Sequence, residues 1–271
     1  MAAKKNRLLV LVPVLILMVS ASGCSRTLTT EQFLQSYQIR SGTIIDIYNQ
    51  NGSVTITGWD QDSVEISALK QSFHGQEAME QVEIFIDIAE KMIIKTVKSD
   101  NNDFNFEHVT VNYEIRVPED ILVGIIECSN GNIIVENVSG NPDITTANGA
   151  VTVNNVNGIV SARSSNGAIT VSSVKSLGGL RTSNGNIEAD LPLLHDNLEI
   201  RTSNGSISLA LSPALNVDVE ASTSNGTISI SNLNIVASEM DIRSLSGVMN
   251  GGGYKISIVT SNGSIDLSSL R

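Results

Sequence analysis

Cysteine is nearly absent from this chain: among 271 residues there are two, Cys24 and Cys128. If Cys24 carries another group, no disulfide can form within one molecule. Aromatic residues are scarce, with one Trp, four Tyr and five Phe. All of them except Tyr254 precede Pro118, so the second half has no ring platform on which a sugar could stack. Positive charge is short, with 17 Lys and Arg against 28 Asp and Glu, a formal net charge of -11. That balance disfavours nucleic acid and anionic lipid headgroups as partners, because phosphate recognition needs clustered Lys and Arg. The three histidines, His74, His108 and His195, share no motif with Ser, Cys or Asp. HExxH, GxSxG, the P-loop and CxxC are all missing, which leaves the common hydrolytic, nucleotide and redox chemistries without their residues. No cofactor and no metal are expected. Asp60 with Asp62, and Asp100 with Asp103, are the nearest approach to a cation site. Neither has the ligand number or spacing of a calcium loop, and both read as turn residues.

One long apolar run exists, Leu8 to Val19, preceded by Lys4, Lys5 and Arg7 and followed by small residues. It is too short for an ordinary membrane span and reads as a secretory signal peptide over residues 1–23. Without that segment, which holds three positive charges and no negative ones, the net charge is -14. The stretch "ASGC", Ala21 to Cys24, resembles the lipobox of bacterial lipoproteins, with Ala21 where that family usually has Leu. The resemblance implies lipidation of Cys24, which becomes the new N-terminus, and an exported protein held on a membrane or envelope outside the cytoplasm. Residues 24–40 then read as a polar linker, with one helical turn expected around "TEQFLQ".

What the chain has in abundance is one phrase. "RTSNGNIEADL" begins at Arg181, "RTSNGSISLAL" at Arg201, "RSSNGAITV" at Arg163 and "TSNGTISI" at Thr223. Counted by the residue before glycine, the markers are Asn130, Asn148, Asn166, Asn184, Asn204, Asn225, Ser246 and Asn262. A period near 20 is the mark of a solenoid. Two and four residues after each glycine come apolar side chains, from Ile133 and Val135 to Ile265 and Leu267, with Met249 and Gly251 breaking the pattern after Ser246. Four residues before each marker lie Ile126, Ile144, Ala162, Leu180, Ile200, Ala221, Ile242 and Ile258. This is period-two alternation, so strands with one buried face flank each corner. Two residues before the marker lie Cys128 and a series of Thr or Ser, so Cys128 reads as a small buried side chain.

Antiparallel hairpins and a parallel coil both accommodate these strands. The coil is preferred, because copying "RTS" ahead of the turn matters only if like residues stack on like. The expectation is an all-β fold, a β-solenoid (parallel β-helix-like) of about eight rungs over residues 121–271. At ~4.8 Å per rung it stands roughly 40 Å tall. Asn amides should pair between rungs, as in other Asn ladders, and glycine should supply a positive φ at the corner. Residues 41–120, with "SVEISALK", "VEIFIDI" and "VTVNYEIRVP", read as an N-terminal β cap, which an open solenoid edge needs.

The run "NQNGSVTITGWDQDSVEI", then "YEIRVPED", then serial "SNGxIxV" units resembles the bacterial and archaeal DUF4097 family, called "putative adhesins". The resemblance covers about residues 40–271. It implies a β-solenoid-like fold on exported or envelope proteins and carries over no catalytic residue.

Three residues before the marker stand Arg163, Arg181, Arg201 and Arg243, facing outward. Five residues before the marker, on the same face, stand Asp143, Glu199, Glu220 and Asp241. The plain reading is a solvated ladder of ion pairs, each worth little. The sharper reading is a strip for an anionic polymer, since Arg forks bind carboxylate and phosphate well. The other sheet offers small polar residues, among them Thr152, Thr170, Ser208, Ser229 and Asp266. The expected function is a non-enzymatic surface or envelope lipoprotein that acts as an adhesion or interaction module. Its partners are then the membrane, through the lipid, and a surface polysaccharide or envelope protein. Two alternatives remain open: a structural or stress-response envelope component that binds a protein, and a polysaccharide-cleaving β-helix enzyme.

Overall fold

The computed structural model describes residues 27–99 and 108–270. Cys24, the signal segment, Asp100 and Asp103 lie outside the described residues. The first strand pair, β2 (Ile44–Asn51) and β3 (Val54–Trp59), already turns the repeated corner. Later turns are made by β8 (Leu122–Asn130) with β9 (Ile133–Ser139), then β10 (Asp143–Asn148) leading into β11 (Val151–Ser164) and β12 (Ile169–Arg181). β13 (Ile187–Leu191), β14 (Leu198–Arg201) and β15 (Ile207–Leu211) follow, then β16 (Val217–Asn225), β17 (Ile228–Ser231), β20 (Tyr254–Asn262) and β21 (Ile265–Ser269).

These strands stack in two parallel ladders. The first runs β2, β8, β10, the end of β11, the end of β12, β14, β20, β16. The second runs β3, β9, the start of β11, the start of β12, β13, β15, β21, β17. Parallel pairing of successive turns is the coil and not the stack of hairpins. The inward positions named from the sequence form the core: Ile126, Ile144, Ala162, Leu180, Ile200 and Ile258 are buried, as are Ile133, Val151, Ile169, Ile187, Ile207 and Ile265. Each fully buried aliphatic side chain contributes about 1.5–3 kcal/mol relative to exposure, so the narrow core is strong through its length.

Antiparallel strands close the ends. At the N-terminal end, β6 (Met92–Lys98) and β7 (Thr110–Pro118) add one more parallel layer to β2 and β3. β5 (Val82–Ile88) then pairs antiparallel with β6, and β4 (Val64–Ser72) with β7. The helix α1 (Gly75–Glu80) lies between β4 and β5. β1 (Thr29–Tyr37) pairs antiparallel with β4 from Thr29↔Ser72 to Tyr37↔Val64. The helical turn expected at "TEQFLQ" is therefore an edge strand, and most of the expected linker lies within the sheet. Polar alternation in β1 needs a partner to become a strand, and its register partners are 27 to 43 residues downstream. Inside the cap a buried polar group is fully paired: Thr96 Oγ1 bonds Asn49 Oδ1 and the Tyr113 hydroxyl, both at 2.8 Å. Burial pushes the Tyr113 phenol up to about 12.

At the C-terminal end the stacking leaves sequence order. β20 and β21 lie between β14–β15 and β16–β17. β19 (Ser244–Met249) packs antiparallel on the outer edge of β16, and β18 (Val236–Met240) on β19. Ser246 is thus no corner of the coil, and Ile242, expected inside, is 60% exposed. Met249 is buried, but as part of this antiparallel closure.

Candidate functional site

The Thr, Asn and Gly of the phrase "RTSNG" each have a separate task at the corner. The Thr or Ser two before the marker turns inward and donates its hydroxyl to a glycine carbonyl one turn away. Thr182 bonds Gly167 O and Thr202 bonds Gly185 O, both at 2.9 Å. A buried carbonyl left unpaired costs about 1–3 kcal/mol. Cys128 stands in the same column, 3.2 Å from Gly52 O, and burial pushes its thiol up to about 11. It is an inert small side chain. The Asn amides form one ladder: Asn130 donates to Asn51, Asn148 to Asn130, Asn166 to Asn148, Asn184 to Asn166 and Asn204 to Asn184. Asn262 donates to Asn204, and Asn225 to Asn262.

The glycine acts for a different reason from the one expected. Among the described corner glycines Gly52 has a positive φ, whereas Gly131, Gly149, Gly167, Gly185, Gly205, Gly226 and Gly263 do not. A Cβ on Gly167 would lie 1.9 Å from Gly149 O, and one on Gly205 2.0 Å from Gly185 O. The carbonyl of the neighbouring turn occupies the space of a side chain. Left-handed residues sit at the second corner instead, at Asn137, Asn155 and Ser173, each 18 residues apart, with Asn155 donating to Asn137 at 2.8 Å. That column was not picked out from the sequence, although its 18-residue spacing was there to find.

The outward face of the first ladder carries the candidate surface. Arg163, Arg181 and Arg201 are adjacent across β11, β12 and β14. Arg163 pairs with Asp143 at 2.8 Å and Arg181 with Glu199 at 2.9 Å, all four side chains more than half exposed. Arg201 forms no ion pair with another described residue. Its next neighbours are Val259 and Ser222, so Arg243, in the connection from β18 to β19, stands outside this column. Sequential stacking would have put it there; the interleaved end does not.

The same row continues into the cap, which sequence reading missed. Arg163 neighbours Thr145, Thr145 neighbours Glu127, and Glu127 neighbours Tyr48. Tyr48 neighbours Lys95, and Lys95 neighbours Phe85. Lys95 Nζ lies 5.0 Å from the Tyr48 ring centroid, a cation–π contact. Phe85 is half exposed. Partial burial, followed by the charges of Asp46 and Glu127, holds the Tyr48 phenol above its usual range, so it remains a neutral hydroxyl. A row with rings and a cation at one end and three guanidinium groups farther along thus crosses the long dimension of one sheet. On the second ladder Thr152, Thr170, Glu188, Ser208, Asp266 and Ser229 form a small polar column with no cation.

The remaining candidates do not gather into one site. His74 and His108 come together, ring centroids 3.9 Å apart, at the cap. His195 lies in the β13–β14 connection. Asp60 accepts a bond from Gln61 at 3.0 Å. Among the described residues no three His, Cys, Asp or Glu side chains gather as a metal site, and no helix is long and apolar enough to cross a membrane.

A family model described as Toastrack DUF4097 matches residues 36–268. No curated protein matches the chain. Among solved structures, a "putative adhesin" from Bacteroides fragilis is 12% identical, covering 88% of this chain and 97% of its own, with a TM-score of 0.38. A "putative cell adhesion protein" from Clostridium sporogenes is 10% identical, covering 88% and 100%, with a TM-score of 0.35. A "putative lipid binding protein" from Parabacteroides distasonis is 9% identical, covering 89% and 97%, with a TM-score of 0.37.

Proposed function

The chain belongs to the Toastrack DUF4097 family, and from that premise we propose that it is a non-enzymatic adhesion module of the cell surface, held there by a lipid on Cys24. Its ligand is an extended anionic polymer such as an acidic polysaccharide, engaged along the outward face of the first ladder. The observation that carries this reading is the row Lys95, Tyr48, Glu127, Thr145, Arg163, Arg181 and Arg201, in which one carboxylate separates the cation and ring of the cap from three successive guanidinium groups. Successive turns lie ~4.8 Å apart, a spacing that presents guanidinium groups in series to a repeating chain. The ion pairs of Arg163 and Arg181 are exposed, and such pairs are worth about 0–1 kcal/mol. A polymer carboxylate or sulfate can therefore replace Asp143 or Glu199 at small cost, with the Arg fork accepting either. Arg201 needs no such exchange. The net charge of the protein without its signal segment, -14, opposes nonspecific capture of polyanions, so binding is confined to this row.

The experiment is incubation of the full chain, in mild detergent, with purified envelope polysaccharides, scoring retention and polymer length together. Retention at unchanged length is expected. Shortened polymer overturns the non-enzymatic reading. No retention of any acidic polymer overturns the ligand class and favours a protein partner. Cys24→Ser is expected to release the protein from membranes, and unchanged retention there contradicts the anchor.

A further inference from the structure

The last two strands fill a gap that the rest of the chain leaves open. β20 pairs in parallel with β14 on one side and β16 on the other, and β21 likewise with β15 and β17. Both neighbours depend on the fit. Asn262 bridges Asn204 and Asn225 in the amide ladder. Thr260 donates to Gly205 O, and Thr223 donates to Gly263 O, each at 2.8 Å. Ile256, Ile258, Ile265 and Leu267 are at most 1% exposed.

We propose that this segment exchanges between two copies of the chain, β20 and β21 of each filling the slot of the other. Three observations lead there. The first is order of closure. β16 pairs with β19 across 22 to 32 residues, fewer than the 37 between β16 and β20 and the 58 between β14 and β20, and nearer contacts form before distant ones. The slot between β14–β15 and β16–β17 is then bounded by two unpaired edges, which accept any matching strand.

The second is the hinge. Asn250, Gly251 and Gly252 are successive left-handed residues, at φ 50, 91 and 83. A Cβ on Gly253 would lie 2.2 Å from Asn216 O, so the chain crosses close over the start of β16. Asn250 holds the crossing by donating to Pro213 O at 2.8 Å and Leu215 O at 2.9 Å. To fill its own slot the chain must reverse past β16 within these few residues. In the exchanged form the glycines run on in an extended path, which they adopt freely, and short hinges of this kind invite swapping.

The third is the demand of the slot. It requires apolar residues on alternate positions, an inward hydroxyl and Asn-Gly at the corner, all in register. The segment at Tyr254–Ser269 meets every requirement, and each further copy of the chain brings another. Reciprocal filling gives a closed two-fold dimer. The proposal is independent of the ligand proposed above.

Ser208 and Asp266 are register partners across β15 and β21, and both are exposed. Parallel neighbours at ~4.8 Å are within disulfide reach. Equal amounts of full-length S208C and D266C are unfolded together under reductant, refolded and oxidised, and linked peptides are identified by mass spectrometry. The expected result is a cross-chain link between S208C and D266C. Its ratio to unlinked chain should rise about tenfold for each tenfold rise in protein concentration while dimer is scarce, as mass action requires. A T152C and D266C mixture, whose positions are not register partners, should stay unlinked. Equal linking in that control, or no cross-chain link at any concentration while the doubly substituted S208C/D266C chain links within itself, overturns the proposal. Removing Gly251 and Gly252 should shift the linked fraction upward at every concentration; if that variant fails to fold, the mixed pair decides alone.

Discussion

From Asn130 to Asn204 each corner rests on the one just before it in sequence. Beyond Asn204 the next corner in space is Asn262, and Asn225 comes after it. The same phrase builds both regions, and the amide, hydroxyl and glycine columns run through them without a break. The columns therefore specify what may lie next to what, and leave the order of stacking to the connections. In the middle region short second corners impose sequence order. At the end a local antiparallel closure by β19 takes the outer edge of β16 and leaves the inner edge for the C-terminus.

If the two regions are equally well packed, equivalent cuts should cost the same. Ile200→Ala in the middle and Ile258→Ala in the interleaved turn remove residues buried to the same degree. Each should lower stability by about 2–5 kcal/mol in urea unfolding. A much smaller loss at Ile258 would show that the interleaved turn is loosely seated. The glycine columns sharpen the comparison. Gly167→Ala places a Cβ against a stacked carbonyl, whereas Gly251→Ala meets open space and suffers from its positive φ. The first should cost about 1–3 kcal/mol or more, the second about 1–2 kcal/mol, read from the same unfolding curves.

Thr182→Val in the middle and Thr260→Val at the end each orphan a glycine carbonyl. A loss of about 1–3 kcal/mol is expected at both.

Cys128 tests the column from its weak member. Burial pushes its folded thiol up to about 11, above the ordinary thiol value. An acid whose folded pKa is raised stabilises fully below its unfolded pKa and loses that contribution as pH rises toward the folded value. Stability should thus fall between roughly pH 9 and 11. Cys128→Thr should flatten that fall in thermal melts while restoring a hydroxyl to the column. Tyr113, at about 12, adds a later loss that the substitution leaves untouched.

Side chains that obey the local period were legible in the sequence. Ile133, Val151 and Ile207 point inward because alternation alone fixes their face, and the Asn ladder follows from an 18-residue repeat once the coil is chosen. Features that depend on a distant partner were not legible. β1 looks like a polar linker until β4 is beside it. Ile242 and Arg243 are misplaced by any reading that stacks corners in sequence order. The steric role of Gly167 involves a carbonyl of another turn, which no one-dimensional pattern contains. The candidate site was half legible for the same reason. Three of the four arginines are neighbours as expected, but Tyr48 joins their row through β2 docking on β8, and Lys95 through β6 docking on β2, pairings 79 and 47 residues apart.

The most direct measurement compares two double charge reversals in retention on an acidic polysaccharide at fixed ionic strength. Arg181→Glu with Arg201→Glu changes the row on the first ladder. Arg116→Glu, on β7 beside the second ladder, with Lys175→Glu, exposed midway along β12, makes the same change in net charge outside that row. Retention should fall at least about tenfold for the first, equivalent to ~1.4 kcal/mol, and stay near that of the unaltered protein for the second. Equal losses, or none in either, would contradict a binding row on that face.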